Sequence, residues 1–124
     1  MLNPVNVHWF EIPVRNLDRA QRFYEESLGV TLKRERFEDS DMAEFPHDAD
    51  VHATGALVRH AHVEPTNHGS VIYLNVDDVE TVLARFWDNG AEVLLPRTEL
   101  PAGIGVIAQI RDCEGNRVGL WSPC

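Results

Sequence analysis

The stretch Phe10-Glu11-Ile12-Pro13-Val14-Arg15-Asn16-Leu17-Asp18-Arg19-Ala20-Gln21-Arg22-Phe23-Tyr24, closing on Leu28-Gly29, decides how this chain folds. Its first part, His8 to Val14, is short, β-branched and aromatic, and ends at a polar turn, as a strand does. From Leu17 the period changes: Leu17, Ala20, Phe23, Tyr24 and Leu28 fall on one helical face. Asn16 stands where an N-cap acceptor belongs, and Gly29 where a left-handed C-cap does.

The same strand–helix–glycine pattern returns later. Ser70-Val71-Ile72-Tyr73-Leu74-Asn75-Val76 aligns with the first strand, and Val79, Val82, Leu83 and Phe86 form the second helical face. Asp77 is the expected N-cap, forming a capping box with Glu80, and Gly90 is the expected stop. Strands follow each glycine: 30–37, 42–45 and 54–62 in the first half, 92–99, 105–111 and 117–121 in the second. Gly115 serves the turn between the last two. The sequence therefore predicts an α+β fold of two βαβββ modules, 5–63 and 69–122, within one domain spanning 1–124. Its curved, partly closed mixed sheet carries helices outside and encloses a concavity.

The 124 residues suffice for a real core, and the composition, 44% hydrophobic and 25% charged, is that of a globular protein. A net charge of −9 disfavours nucleic acid and anionic membranes, whose phosphates repel it. No run approaches the roughly 20 apolar residues of a membrane span. Met1 to Val5 lack the basic start and apolar run of a secretory signal, and cytoplasmic location is expected. Cys113 and Cys124 form no metal-type pair and are expected as reduced thiols.

The opening stretch, Tyr73-Leu74-Asn75-Val76-Asp77-Asp78-Val79, Asn89-Gly90-Ala91, and the turn from Asp112 through Gly115-Asn116-Arg117-Val118 together resemble the vicinal oxygen chelate superfamily. That superfamily covers glyoxalase I, extradiol dioxygenases and bleomycin- and fosfomycin-resistance proteins. Cys113 departs from it, because many relatives carry proline there. The resemblance implies the doubled module and places metal ligands on the first and last strand of each module. Those positions fall on Trp9, Val71 and Gly119, with the fourth within Ala56–Val58. None of these side chains donates to a cation, so no metal cofactor is expected.

Alternation along the strands puts Trp9, Glu11, Pro13, Val71, Tyr73, Asn75, Arg117, Gly119 and Trp121 on the concave face. Two indoles, a phenol, an amide, a carboxylate and a guanidinium suit a small-molecule ligand site. Glu11 has three readings: pairing with Arg117, ligand contact, or proton transfer as a general base. The expected function is metal-free small-molecule binding by a homodimer, as in the resistance proteins. Two alternatives remain open at this stage. One is a metal-dependent lyase or dioxygenase-like enzyme with displaced ligands His60, His62 and Glu64, the two histidines sharing a face of one strand. The other is a metal-free enzyme with Glu11 as base. His8 is expected on the face opposite the ligand position, His47, His52 and His68 in solvated surroundings, and Leu100–Gly105 is a connecting loop or a lid.

Overall fold

Ile12 and Val14 alternate with Glu11 and Pro13, and in the computed structural model this alternation sets the first strand's faces. The structure describes residues 5–48 and 54–124; His52 lies outside them. Strand β1 (Trp9–Pro13) leads into helix α1 (Leu17–Leu28), then β2 (Lys33–Phe37), β3 (Ser40–Glu44) and β4 (Thr54–Arg59). The second module repeats the order with β5 (Ile72–Asn75), α2 (Val79–Asp88), β6 (Glu92–Glu99), β7 (Val106–Arg111) and β8 (Arg117–Ser122).

Each module forms its own four-stranded mixed sheet, ordered β1-β4-β3-β2 and β5-β8-β7-β6. In each, the first strand pairs parallel with the last: Glu11 lies opposite Ala56, and Tyr73 opposite Gly119. The two pairings are equivalent, so Ala56 is the first-module counterpart of Gly119.

Helix α1 begins as its sequence dictates. Asn16 accepts the Arg19 N–H at 3.0 Å, and Gly29 closes the helix at φ 71°, a conformation that costs glycine nothing. Strand β2 starts three residues later than expected because the helix end holds its approach. Val30 N–H returns to the Glu25 carbonyl, and Leu32 N–H donates to the Glu25 carboxylate at 2.8 Å.

The cap of α2 differs from expectation. Asp78, not Asp77, accepts the Thr81 N–H at 3.1 Å and the Thr81 hydroxyl at 2.5 Å. The ladder between β5 and β8 continues through Val76 N–H to the Trp121 carbonyl, so the chain needs one more residue before it turns. Asp78 thus stands as far beyond Val76 as Asn16 stands beyond Val14.

α1 packs on sheet one, α2 on sheet two, and the helices on each other. Phe23, Tyr24, Phe45 and Phe86 form the aromatic centre, with ring centroids 5.2–5.9 Å apart and mostly edge-on, the arrangement ring quadrupoles favour. Ile12, Ala43 and Leu57 from sheet one and Leu74, Ala108, Ile110, Val118 and Leu120 from sheet two complete one core.

A second, polar contact ties the modules. The turn joining β7 to β8 reaches the start of α1, where Glu114 accepts the Arg15 N–H at 2.6 Å and the Asn16 N–H at 3.3 Å. Its carboxylate also pairs with Arg19, and Asn116 Nδ2 donates to the Pro13 carbonyl at 2.7 Å. Glu114 thus satisfies donors that a helix start otherwise leaves orphaned. Burial pushes the neighbouring Cys113 thiol up to about 11, aided by the Asp112 charge. Cys113 therefore stays protonated and inert at neutral pH.

Candidate functional site

Both sheets bury one face in the shared core and leave the other partly open, with Ala56 and Gly119 buried at its centre. Sheet one's free face carries Trp9 and Glu11 from β1, with Ala56 beside them on β4. Trp9, 38% exposed, donates from Nε1 to Glu11 Oε2 at 3.2 Å. Glu11 is open to solvent rather than enclosed by aromatic walls, and Pro13 is half-buried.

Sheet two's free face is more closely organised. Val71 lies just before β5 and Asn75 ends it, opposite Trp121. Tyr73, 43% exposed, lies across Gly119, and a Cβ added at Gly119 would run into its ring. The missing side chain lets the phenol cross β8 to Gln109 on β7, whose Nε2 donates to the Tyr73 oxygen at 2.6 Å. The Gln109 Oε1 in turn accepts from Arg117 Nη1 at 2.7 Å.

The expected pair between Glu11 and Arg117 does not form. Glu11 takes its hydrogen bond from Trp9, and Arg117 turns to Gln109 and to the Asn67 carbonyl at 3.4 Å. Among the described residues, no hydrogen bond or ion pair joins the Trp9–Glu11 set to the Tyr73–Arg117 set. They occupy free faces of two unpaired sheets. Gln109 is the residue that sequence reasoning missed; its signal was its place between Ala108 and Ile110, a polar side chain on the outward side of an alternating strand.

A cavity of about 620 Å³ opens beside the second set, between the end of α1 and the start of α2. Phe10, Phe45 and Val82 supply apolar wall, and Tyr73, Asn75 and Arg85 supply polar edge. The loop after β6 is tied rather than free. Leu100 N–H donates to the Gly105 carbonyl at 2.8 Å around a short turn at Pro101–Gly103, and the Trp121 indole lies against Gly105.

The positions at which the family resemblance places metal ligands do not fit a divalent cation. Register identifies the fourth as Ala56, a fully buried methyl, and Gly119 is covered by the Tyr73 ring. With Trp9 and Val71, the set offers no oxygen, thiolate or imidazole donor. The displaced set is also rearranged. β4 ends at Arg59, where its partners β1 and β3 run out, so His60 and His62 lie in a turn and not on one strand face. Their rings stand 5.1 Å apart, and His60 Nδ1 accepts the His62 backbone N–H at 3.1 Å, which occupies that nitrogen's lone pair. Glu64 is exposed beyond them, and among the described residues no three His, Cys, Asp or Glu side chains gather as a metal site.

No curated protein matches the chain. A glyoxalase I variant from Zea mays superposes with TM-score 0.66 at 22% identity over 92% of this chain. The chain spans only 44% of that maize protein's length. An antibiotic binding protein from Streptomyces sp. CB03234 superposes with TM-score 0.70 at 24% identity, each chain fully covered. A glyoxylase/bleomycin resistance protein/dioxygenase domain from Frankia sp. EAN1pec gives TM-score 0.71 at 21% identity, again over the full length of both. Such identities speak for the fold alone. The family model described as Glyoxalase/Bleomycin resistance protein/Dioxygenase superfamily matches residues 6–120, the span of both modules, and to that superfamily this chain belongs.

Proposed function

We propose that the protein binds a small molecule without a metal, sequestering or sensing it rather than transforming it, and works as a homodimer. The carrying observation is the chemistry of the free faces: Trp9, Ala56, Val71 and Gly119 stand where donors belong, while aromatic and polar groups fill the surroundings. Apolar walls with a few polar groups favour orientation and affinity over Lewis-acid chemistry. The Streptomyces neighbour, called an antibiotic binding protein, supports the same reading.

Two half-faces support the dimer. Trp9 with Glu11 and Tyr73 with Arg117 sit on unpaired sheets, one acidic and one basic. Module one of one chain set against module two of another brings both halves to a common cleft.

The test is a thermal-shift screen of small aromatic and cationic metabolites against protein dialysed with and without chelator. Ligand stabilisation should be equal in both preparations, because a ligand raises stability by its concentration relative to Kd, whatever the metal. A stoichiometric metal whose removal abolishes that stabilisation overturns the metal-free reading. Sedimentation to a single monomeric species overturns the dimer.

A further inference from the structure

We infer that the free face of module two selects a planar aromatic anion of the carboxylate type, received by Tyr73 and Arg117 and positioned by Gln109. This rests on the small-molecule-binding reading above and adds the ligand's chemical class.

The orientation of the Gln109 amide is forced. Arginine has only donors, so the atom of Gln109 facing Arg117 Nη1 at 2.7 Å must be its carbonyl oxygen. Its Nε2 then faces the phenol at 2.6 Å and donates, making the Tyr73 oxygen the acceptor. The Tyr73 proton is consequently directed away from Gln109 and available for donation to something else. Arg117 is left equally unfinished. It is half-buried, its Nε reaches only the Asn67 carbonyl at 3.4 Å, and no carboxylate among the described residues lies within ion-pair distance. Arg111, its neighbour across the sheet, instead pairs with Glu92 at 3.1 Å.

The Tyr73 hydroxyl and the remaining Arg117 N–H groups, the latter cationic, thus stand on either side of one amide group. A carboxylate brings two acceptor oxygens, so one anion seated beside the amide has an acceptor for each donor. Charge-assisted bonds of this kind are about twice as strong as neutral ones. The shape preference comes from Gly119. Because Gly119 lacks a side chain, the Tyr73 ring crosses β8 and keeps its outer face open, with the half-exposed Trp121 two residues along the same strand. Those rings offer stacking to a flat body whose anionic end meets Arg117.

The test uses 2-naphthoate and its neutral isostere 2-naphthamide, titrated calorimetrically against the full chain. The expected result is about tenfold tighter binding of naphthoate, the free-energy difference between a charge-assisted and a neutral contact read as a ratio of Kd values. Arg117→Met should erase that preference, and Tyr73→Phe should reduce it. Gln109→Leu should weaken naphthoate severalfold while sparing naphthamide, which distinguishes a positioning residue from one that merely supports the fold. Naphthoate should also move the Gln109 side-chain amide resonances of the unaltered protein, a readout that survives if a variant fails to fold. Equal affinities, or a preference for naphthamide, overturn the inference and leave the proposed function standing. Failure of both probes while other library compounds bind does the same. Failure of every compound removes the proposed function itself.

Discussion

The Tyr24 hydroxyl donates to Asp112 Oδ2 at 2.5 Å, joining the first helix to the last turn across 88 residues of chain. Tyr24 is fully buried, and Asp112 also accepts the backbone N–H groups of Glu114 and Asn116, each at 2.9 Å. One side chain therefore both shapes the β7–β8 turn and fastens it to module one. Tyr24→Phe keeps the ring packing and removes only this bond. It should cost about 1.5–3 kcal/mol, the range for bonds to charged partners, read as a lower urea midpoint at unchanged slope. An unchanged midpoint would show that the bond does not fasten the modules.

The two acids of that turn respond to pH in opposite senses. Burial pushes Glu114 up, but the Arg15 and Asn16 N–H groups and the Arg19 guanidinium outweigh it, holding the carboxyl below its ordinary 4.5. Its folded form binds fewer protons than the unfolded chain, so its stabilisation is full above 4.5 and is lost as pH falls through the lowered value. For Asp112, burial outweighs the bonds from Tyr24, Asn116 and Glu114 and raises the carboxyl above 3.8. Its contribution is full below 3.8 and is lost as pH rises through the raised value. Glu114→Gln should therefore flatten the acid-side decline of the urea midpoint, and Asp112→Asn should steepen it. Asp18 beside Arg34 and Asp78 at its cap share that decline, so the difference between variant and parent is the measurement. Parallel curves for Glu114→Gln and parent would dismiss the assignment.

Asp77 and Asp78 offer a direct comparison of neighbours. Asp78→Ala removes the acceptor of two Thr81 bonds and should lower the thermal midpoint, whereas Asp77→Ala should leave it in place. The reverse order would restore the cap that the sequence alone suggests.

Gly119→Ala is a test of close approach rather than of backbone freedom. The new methyl meets the Tyr73 ring along its near edge, so the half-exposed ring must swing outward, at a cost of about 1–3 kcal/mol. The Gln109 side-chain amide should then lose its phenolic acceptor and shift as it does in Tyr73→Phe. Unmoved resonances would mean that Gly119 does not place Tyr73.

Much of the fold is legible because its signals are periodic. Leu17, Ala20, Phe23 and Tyr24 announce a helix at one spacing, and Phe10, Ile12 and Val14 a strand at another. The equivalence of Glu11 and Tyr73 likewise follows from aligning two similar strings, and pairing with Ala56 and Gly119 extends it. The candidate site is less legible because its groups are assembled across strands. Nothing near Gln109 announces that it will bridge Tyr73 and Arg117, since that depends on what Gly119 omits. Glu114 reads as an ordinary charged turn residue until the turn is seen to end against Arg15 and Arg19. The strand expected through His62 stops at Arg59 because its neighbours stop, a fact held in other segments of the chain.

The β7–β8 turn bears finally on the order of folding. Its partners Arg15 and Asn16 precede Glu114 by 99 and 98 residues, and Pro13 precedes Asn116 by 103. During synthesis, the first helix leaves the ribosome well before the carboxylate that covers its opening turn. Closing so long a loop is entropically slow, and contacts this distant in sequence form late. Module one must therefore wait with its helix start and half its core uncovered, and the final hairpin acts as the latch that ends this exposure. Slowing that last hairpin should prolong the interval in which the nascent chain can associate wrongly, even where the finished protein is no less stable.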